Sequence, residues 1–251
     1  MAPARPNKVK SEHHSWRLQL KKIKFPRMVE ILPEVEGNRF AIRHFEISNN
    51  NLRFALLRDA IYGKCENTGL ETGKYVKLID KETGQTLMVD TWNEFVTNID
   101  FINRAHGDVL IGGLGIGLVI LPIQDKKEVK SITVVEKHRE VIDLVLPQLP
   151  VNSKVKVIHA DVFEWVAEQR YNVIYFDIWD NVRGEYYKET KTLYKKYRKF
   201  LKHDDPRSWI GFWRQEDFKR ALKKVRMKKN PGIILLDSPI SLKHYFIKSS
   251  Y

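Results

Sequence analysis

Residues 108–123 read DVLIGGLGIGLVILPI, a nearly unbroken apolar run with four glycines in its first ten positions. Its reading decides the fold. Fifteen uncharged residues from Val109 to Ile123, interrupted by Pro122 and followed by Lys126 and Lys127, are too few and too glycine-rich for a spanning helix of roughly 20 residues. A short buried strand, Asp108–Ile111, followed by a glycine loop and a helix over 115–124 accounts for the same text. In such a loop glycines allow a sharp turn and let a ligand approach the backbone.

Downstream, the text alternates. Strands are expected at 131–135, 154–158 and 172–176, and helices at 137–146, 162–168, 185–201 and 215–226. Apolar strands alternating with helices predict a parallel sheet covered on both faces, an α/β architecture. Upstream, RFAIRHFEIS, LRFALLRDAIYG and KYVKLIDKETGQTLMVD read as short β-type runs separated by turn signals. DTWNEFVTNIDFINRA has helical spacing over 90–105, with Asp90 or Thr91 placed to cap. The expected organisation is a flexible basic arm over 1–24, a small β-rich domain with its linking helix over 25–106, and a ligand-binding α/β domain over 107–251.

Composition limits the function. In 251 residues the apolar fraction is 43% and the net charge +13, enough apolar text for a core. Between Tyr186 and Lys229 stand 16 Lys/Arg against 5 Asp/Glu, and the first 27 residues hold 8 against 1. This basic face, including Lys219, Lys223 and Lys224, is suited either to solvation or to contact with nucleic acid. The N-terminus lacks the apolar core of a signal peptide, and the single Cys65 offers no disulfide partner, so a cytoplasmic location without membrane contact is expected. The histidines, His13 and His14 among them, show no ligand spacing, and no metal site is expected. Trp179, Trp209 and Trp213 read first as core residues, with stacking on a planar acceptor as the alternative.

Other glycine codes do not fit. A phosphate-binding loop ends in Gly-Lys-Ser/Thr, whereas Gly63-Lys64 precedes Cys65, and a dinucleotide G-x-G-x-x-G from Gly113 would need glycine where Leu118 stands. Gly113-x-Gly115-x-Gly117 after a first strand, Glu136 ending a second, Asp161 after a third and Asp177 ending a fourth resemble the class I S-adenosylmethionine methyltransferases. The resemblance covers 108 to about 180. It implies a Rossmann-like sheet, S-adenosylmethionine as cofactor, the glycines cradling it, Glu136 on the ribose hydroxyls, and Asp161 on the adenine amino group. Val162 or Phe163 would pack on the ring. Asp177, then Asp180, would orient or deprotonate the nucleophile. Asp161 also fits a helix N-cap.

Within that superfamily the small β-rich region and the DIWD stretch resemble the spermidine synthases. Their loop acid corresponds to Ile116 here, and their tyrosine-histidine-glutamate signature is absent from DTWNEF. Asp90 and Glu94 are the acids nearby that could substitute. The expected activity is therefore methyl transfer to an unknown small-molecule or nucleic-acid acceptor. Aminopropyl transfer, or non-catalytic nucleic-acid binding on the same fold, stands as the alternative. Neither an adenine-type N-P-P-Y or D-P-P-Y stretch nor a Pro-Cys nucleophile occurs. The sequence leaves a homodimer open.

Overall fold

The computed structural model describes residues 26–61 and 70–229. The basic arm 1–24, Cys65, the Gly63-Lys64 pair and residues 230–251 of the expected α/β domain lie outside the described residues.

The first sheet is antiparallel, in the order β1 (Val35–Glu36), β2 (Phe40–Ile47), β3 (Gly73–Asp80) and β4 (Gln85–Val89). The expected β-type run at LRFALLRDAIYG is wrong: α1 (Asn49–Ile61) fills the β2–β3 connection. Leu, Ala and Arg dominate this stretch, and they lose little side-chain freedom in a helix. After β4 come α2 (Trp92–Thr97) and α3 (Ile99–Arg104), where one helix was expected. Asn98 breaks them. Its Nδ2 donates to the Glu94 carbonyl (3.1 Å), the acceptor its own amide would use in a continuous helix, and Thr97 Oγ1 donates to the same oxygen (2.7 Å). Thr91 is the N-cap residue of α2 but makes no side-chain cap bond. Asp90 instead accepts from the Val29 and Val76 amides (3.0 and 2.7 Å), pinning the segment before β1 to β3.

The second sheet holds β5 (Gly107–Gly112), β6 (Val129–Glu136), β7 (Val155–His159), β8 (Val173–Phe176) and β9 (Trp209–Phe212) in the order β7-β6-β5-β8-β9. Every pairing in it is parallel. Its helices are α4 (Ile120–Gln124), α5 (Arg139–Val145), α6 (Tyr186–Tyr197) and α7 (Gln215–Lys229). This is the parallel sheet expected from the alternating text, in the Rossmann-like arrangement that the resemblance implies. Val109, Leu110, Ile111, Val173, Ile174 and Phe176 are completely buried, and each such side chain contributes about 1.5–3 kcal/mol over its exposed state.

Two expected helices differ. The one at 115–124 shrinks to α4, because Gly115 and Gly117 have φ of +51° and +77°, which a right-handed helix cannot accommodate. The one at 162–168 does not form. Tyr197 Oη donates to the Val162 and Trp165 carbonyls (2.8 and 3.2 Å), and Lys196 Nζ to that of Phe163 (2.6 Å). Side chains of α6 therefore occupy the oxygens a helix would need. Among the described residues no helix is long and apolar enough to cross a membrane.

Two contacts set the sheets against each other near the glycine loop. The Glu140 carboxylate on α5 accepts from the Arg39 and Phe40 amides (3.0 and 3.2 Å). Phe40 packs on the His138 ring at a centroid distance of 4.8 Å. Deeper in, Tyr175 Oη donates to Asn98 Oδ1 (2.8 Å) while its ring stacks on Phe101 at 4.3 Å. Burial pushes the Tyr175 hydroxyl well above its ordinary pKa, so it remains a donor. Tyr175→Phe would strand the Asn98 oxygen, and a loss of about 1–2 kcal/mol is expected. Urea denaturation should show a lower midpoint at an unchanged slope.

Candidate ligand cleft

The cleft forms where the strand order reverses, between β5 and β8, at the carboxyl ends of the parallel strands. Open α/β sheets bind their ligands at such a switch point. β5 ends at Gly112, and the chain then turns through Gly113 at φ +97°. A Cβ on Gly113 would stand 2.4 Å from the Asp177 carbonyl oxygen, and one on Gly115 would stand 2.5 Å from Met88 Sδ. A Cβ on Gly117 would meet Leu149 at 2.5 Å. Glycine is thus required first by the loop's packing on its own protein. Gly113 and Gly115 line the cleft, whereas buried Gly117 faces Leu149 and is not among the lining residues. Ile116 is completely buried in the core.

The acids are arranged around this loop. Glu136, at the end of β6, is buried, and its Oε2 accepts from the Leu114 amide (2.9 Å) while Oε1 accepts from the His138 amide (2.8 Å). It therefore holds the glycine loop and the β6–α5 turn together. Asp161, just beyond β7, accepts from the Phe163 amide (2.8 Å) and pairs with Lys137 Nζ (2.9 Å). Burial alone would raise its pKa, but Lys137 and the Phe163 amide outweigh it and hold the carboxyl below the usual range. The alternative of a helix N-cap lapses with the missing helix, and Asp161 closes a turn instead.

Beyond β8 lie Asp177, which is buried, and Asp180. Asp180 accepts from Tyr186 Oη (3.2 Å) and Asn181 Nδ2 (3.1 Å). Burial, then the nearby Asp180 charge, pushes the Tyr186 hydroxyl up to about 12, so it stays protonated at neutral pH. Glu189, one turn along α6, accepts from the Trp179 indole (2.8 Å).

Together these groups enclose about 360 Å³. The space gathers Gly113, Gly115, Glu136, Asp161, Val162, Asp177 and Asp180 from the sequence-derived set, leaving Gly117 behind the loop. Sequence reasoning missed the wall supplied by the first sheet, Leu78, Leu87 and Met88, and also His138, Tyr186 and Glu189. The one signal for the last two is their three-residue spacing on one helix face just after DIWD. Of the three tryptophans, Trp179 lines the cleft. Trp213 is core, and Trp209 stacks on Tyr175 at 6.1 Å. Five carboxylates face two basic side chains, Lys137 and His138, and burial first of all keeps His138 below its ordinary pKa. The interior therefore suits a ligand rich in hydroxyl and amino donors or carrying positive charge. Among the described residues no group of three or more His, Cys, Asp or Glu side chains is arranged to hold a metal ion.

No protein-family model and no curated protein matches the chain. Solved structures do, over part of their length. The DhpI–SAH complex matches at a TM-score of 0.35 and 14% identity, over 47% of this chain and 54% of that one. The N-methyltransferase NodS from Bradyrhizobium japonicum WM9 matches at 0.32 and 13%, over 43% and 64%. Spermidine synthase from Thermotoga maritima matches at 0.38 and 16%, over 64% and 52%. The chain thus spans between half and two-thirds of each of these proteins, and the solved structures to which it is similar include an N-methyltransferase and a spermidine synthase.

Proposed function

We propose that this cleft binds S-adenosylmethionine and that the protein transfers its methyl group to an acceptor entering beside Asp177 and Asp180. One observation carries the reading: the glycine loop, Glu136, Asp161 and Asp177, each at the carboxyl end of a different parallel strand, converge on a single cleft. The donor set fits the cofactor. Glu136 is placed to accept from the ribose hydroxyls, and Asp161 from the adenine amino group, with Val162 and Phe163 against the ring. The Lys137–Asp161 pair does not block this role, because Lys137 is 64% exposed and such surface pairs contribute at most about 1 kcal/mol. Gly113 and Gly115 let the loop approach the amino-acid end, and Gly117 shapes the loop from behind.

When bound, the cofactor supplies a methyl carbon already activated by a sulfonium, so the protein's share is alignment and proton removal. Asp177 orients the acceptor and takes its proton, while Asp180 is oriented by the Tyr186 hydroxyl. Aminopropyl transfer is disfavoured because the loop acid that the spermidine synthases use is absent: Ile116 is buried in the core, and neither Asp90 nor Glu94 is among the lining residues.

Glu136→Ala tests the cofactor site. S-adenosylhomocysteine should bind about 1.5–3 kcal/mol more weakly, the scale of lost hydrogen bonds to a charged group, with the melting transition still cooperative. Unchanged affinity in a folded variant would remove Glu136, and with it the cofactor site, from this cleft.

A further inference from the structure

Helix α6 carries a basic stripe on the side away from the core. Thr190, Leu193 and Tyr197 form its buried face. Lys188, Lys191 and Lys195 fall on the opposite face, Lys199 continues their line in the 3-10 turn Arg198–Phe200 that follows the helix, and all four are exposed; at 3.6 residues per turn the spacing of three, four and four residues gives one narrow stripe. Among the described residues none of these four lysines forms an ion pair. Lys191 and Lys199 lie only over aromatic rings, those of Tyr187 and Phe200, at 4.8 and 5.0 Å. The one acid within the helix, Glu189, faces the cleft and holds Trp179.

On α7, Lys219 pairs with Glu216 at 3.6 Å and Arg220 with Asp217 at 2.6 Å, whereas the lysines of the α6 stripe form no such pair.

We infer that the α6 stripe binds a single nucleic-acid strand. From Lys188 to Lys199 it runs about 16 Å at 1.5 Å per residue, enough to follow more than one backbone phosphate. Tyr194, 45% exposed beside the lysines, offers a flat face to an unpaired base. Lysines along a backbone path with an interleaved aromatic ring are the recognition chemistry of single strands. This surface stands independently of the methyl-transfer reading.

The test uses the full chain and a fluorescein-labelled thymidine oligomer of about 15 nucleotides, followed by anisotropy across a salt series. Wild type should bind at low salt with a steep salt slope. The triple variant Lys188→Gln, Lys191→Gln, Lys195→Gln should bind at least ten-fold more weakly, with a slope smaller by about 2, since each single-strand phosphate contact contributes about 0.7. Lys219→Gln with Lys223→Gln should stay within two-fold of wild type. No binding by wild type, an unchanged triple variant, or an equal loss in the α7 variant would each overturn the inference. So would displacement by polyglutamate as effective as by unlabelled oligomer, which would assign the stripe to an acidic protein. Titration with S-adenosylhomocysteine on the same samples separates the two proposals, because the triple variant leaves every cleft residue in place.

Discussion

Replacing Gly113 by alanine should abolish measurable binding of S-adenosylhomocysteine and destabilise the fold by about 2–6 kcal/mol. The magnitude has two sources. At φ +97° an L side chain is strained by about 1–3 kcal/mol, and a Cβ only 2.4 Å from the Asp177 carbonyl oxygen forces the loop and the end of β8 apart, an overpacking cost of about 1–3 kcal/mol. The displaced groups are the loop that Glu136 holds through the Leu114 amide and the strand end that presents Asp177. One methyl group therefore disturbs both halves of the cleft. Thermal melting and calorimetric titration check the two effects separately. A variant with wild-type melting temperature and affinity would mean that the loop is not held as described.

The second large effect is expected at Asp177. Asp177→Asn preserves shape, and the backbone bond from the Asp177 amide to the Gly112 carbonyl (2.9 Å) is untouched. Methyl transfer should fall about 10²–10³-fold, in the range for removal of a positioned proton acceptor, while S-adenosylhomocysteine affinity changes less than three-fold. Incorporation of labelled methyl groups from S-adenosylmethionine into a cell extract, divided into nucleic-acid and small-molecule fractions, reads the rate and identifies the acceptor class together. Equal activity in Asp177→Asn and wild type would transfer the role to Asp180, whose own replacement would then be the damaging one.

Much of the second sheet was legible because its strands are buried on both faces, and continuous apolar text such as Val109–Ile111 and Val173–Phe176 has few other uses. β9 escaped notice because its apolar run Trp209–Trp213 is short, broken by Gly211 and flanked by Asp204, Asp205, Arg207 and Arg214. α1 was misread for the opposite reason. Its apolar residues are real, but Phe54, Leu57 and Ile61 are 71%, 58% and 68% exposed, so their pattern records no buried sheet face. The absent helix at 162–168 depended on tertiary partners, Tyr197 and Lys196, that local text cannot announce. In the cleft, Glu136, Asp161 and Asp177 were readable because strand ends place them in a fixed order. Leu78, Leu87 and Met88 were not, since they enter from another sheet through the grip of Glu140 on the Arg39 and Phe40 amides. The glycines were legible as a sharply turning loop, but not that their missing side chains also make room for Asp177, Met88 and Leu149.

The central claim, a cleft for the methyl-donating form of the cofactor, is tested most directly by titrating the full chain in a calorimeter with S-adenosylmethionine, S-adenosylhomocysteine and decarboxylated S-adenosylmethionine in parallel. The account expects micromolar-range binding of the first two, about −8 kcal/mol, and at least ten-fold weaker binding of the third, which keeps the ammonium but has lost the carboxylate of the amino-acid end. Tighter binding of the decarboxylated form, or no heat from any of the three, would contradict it.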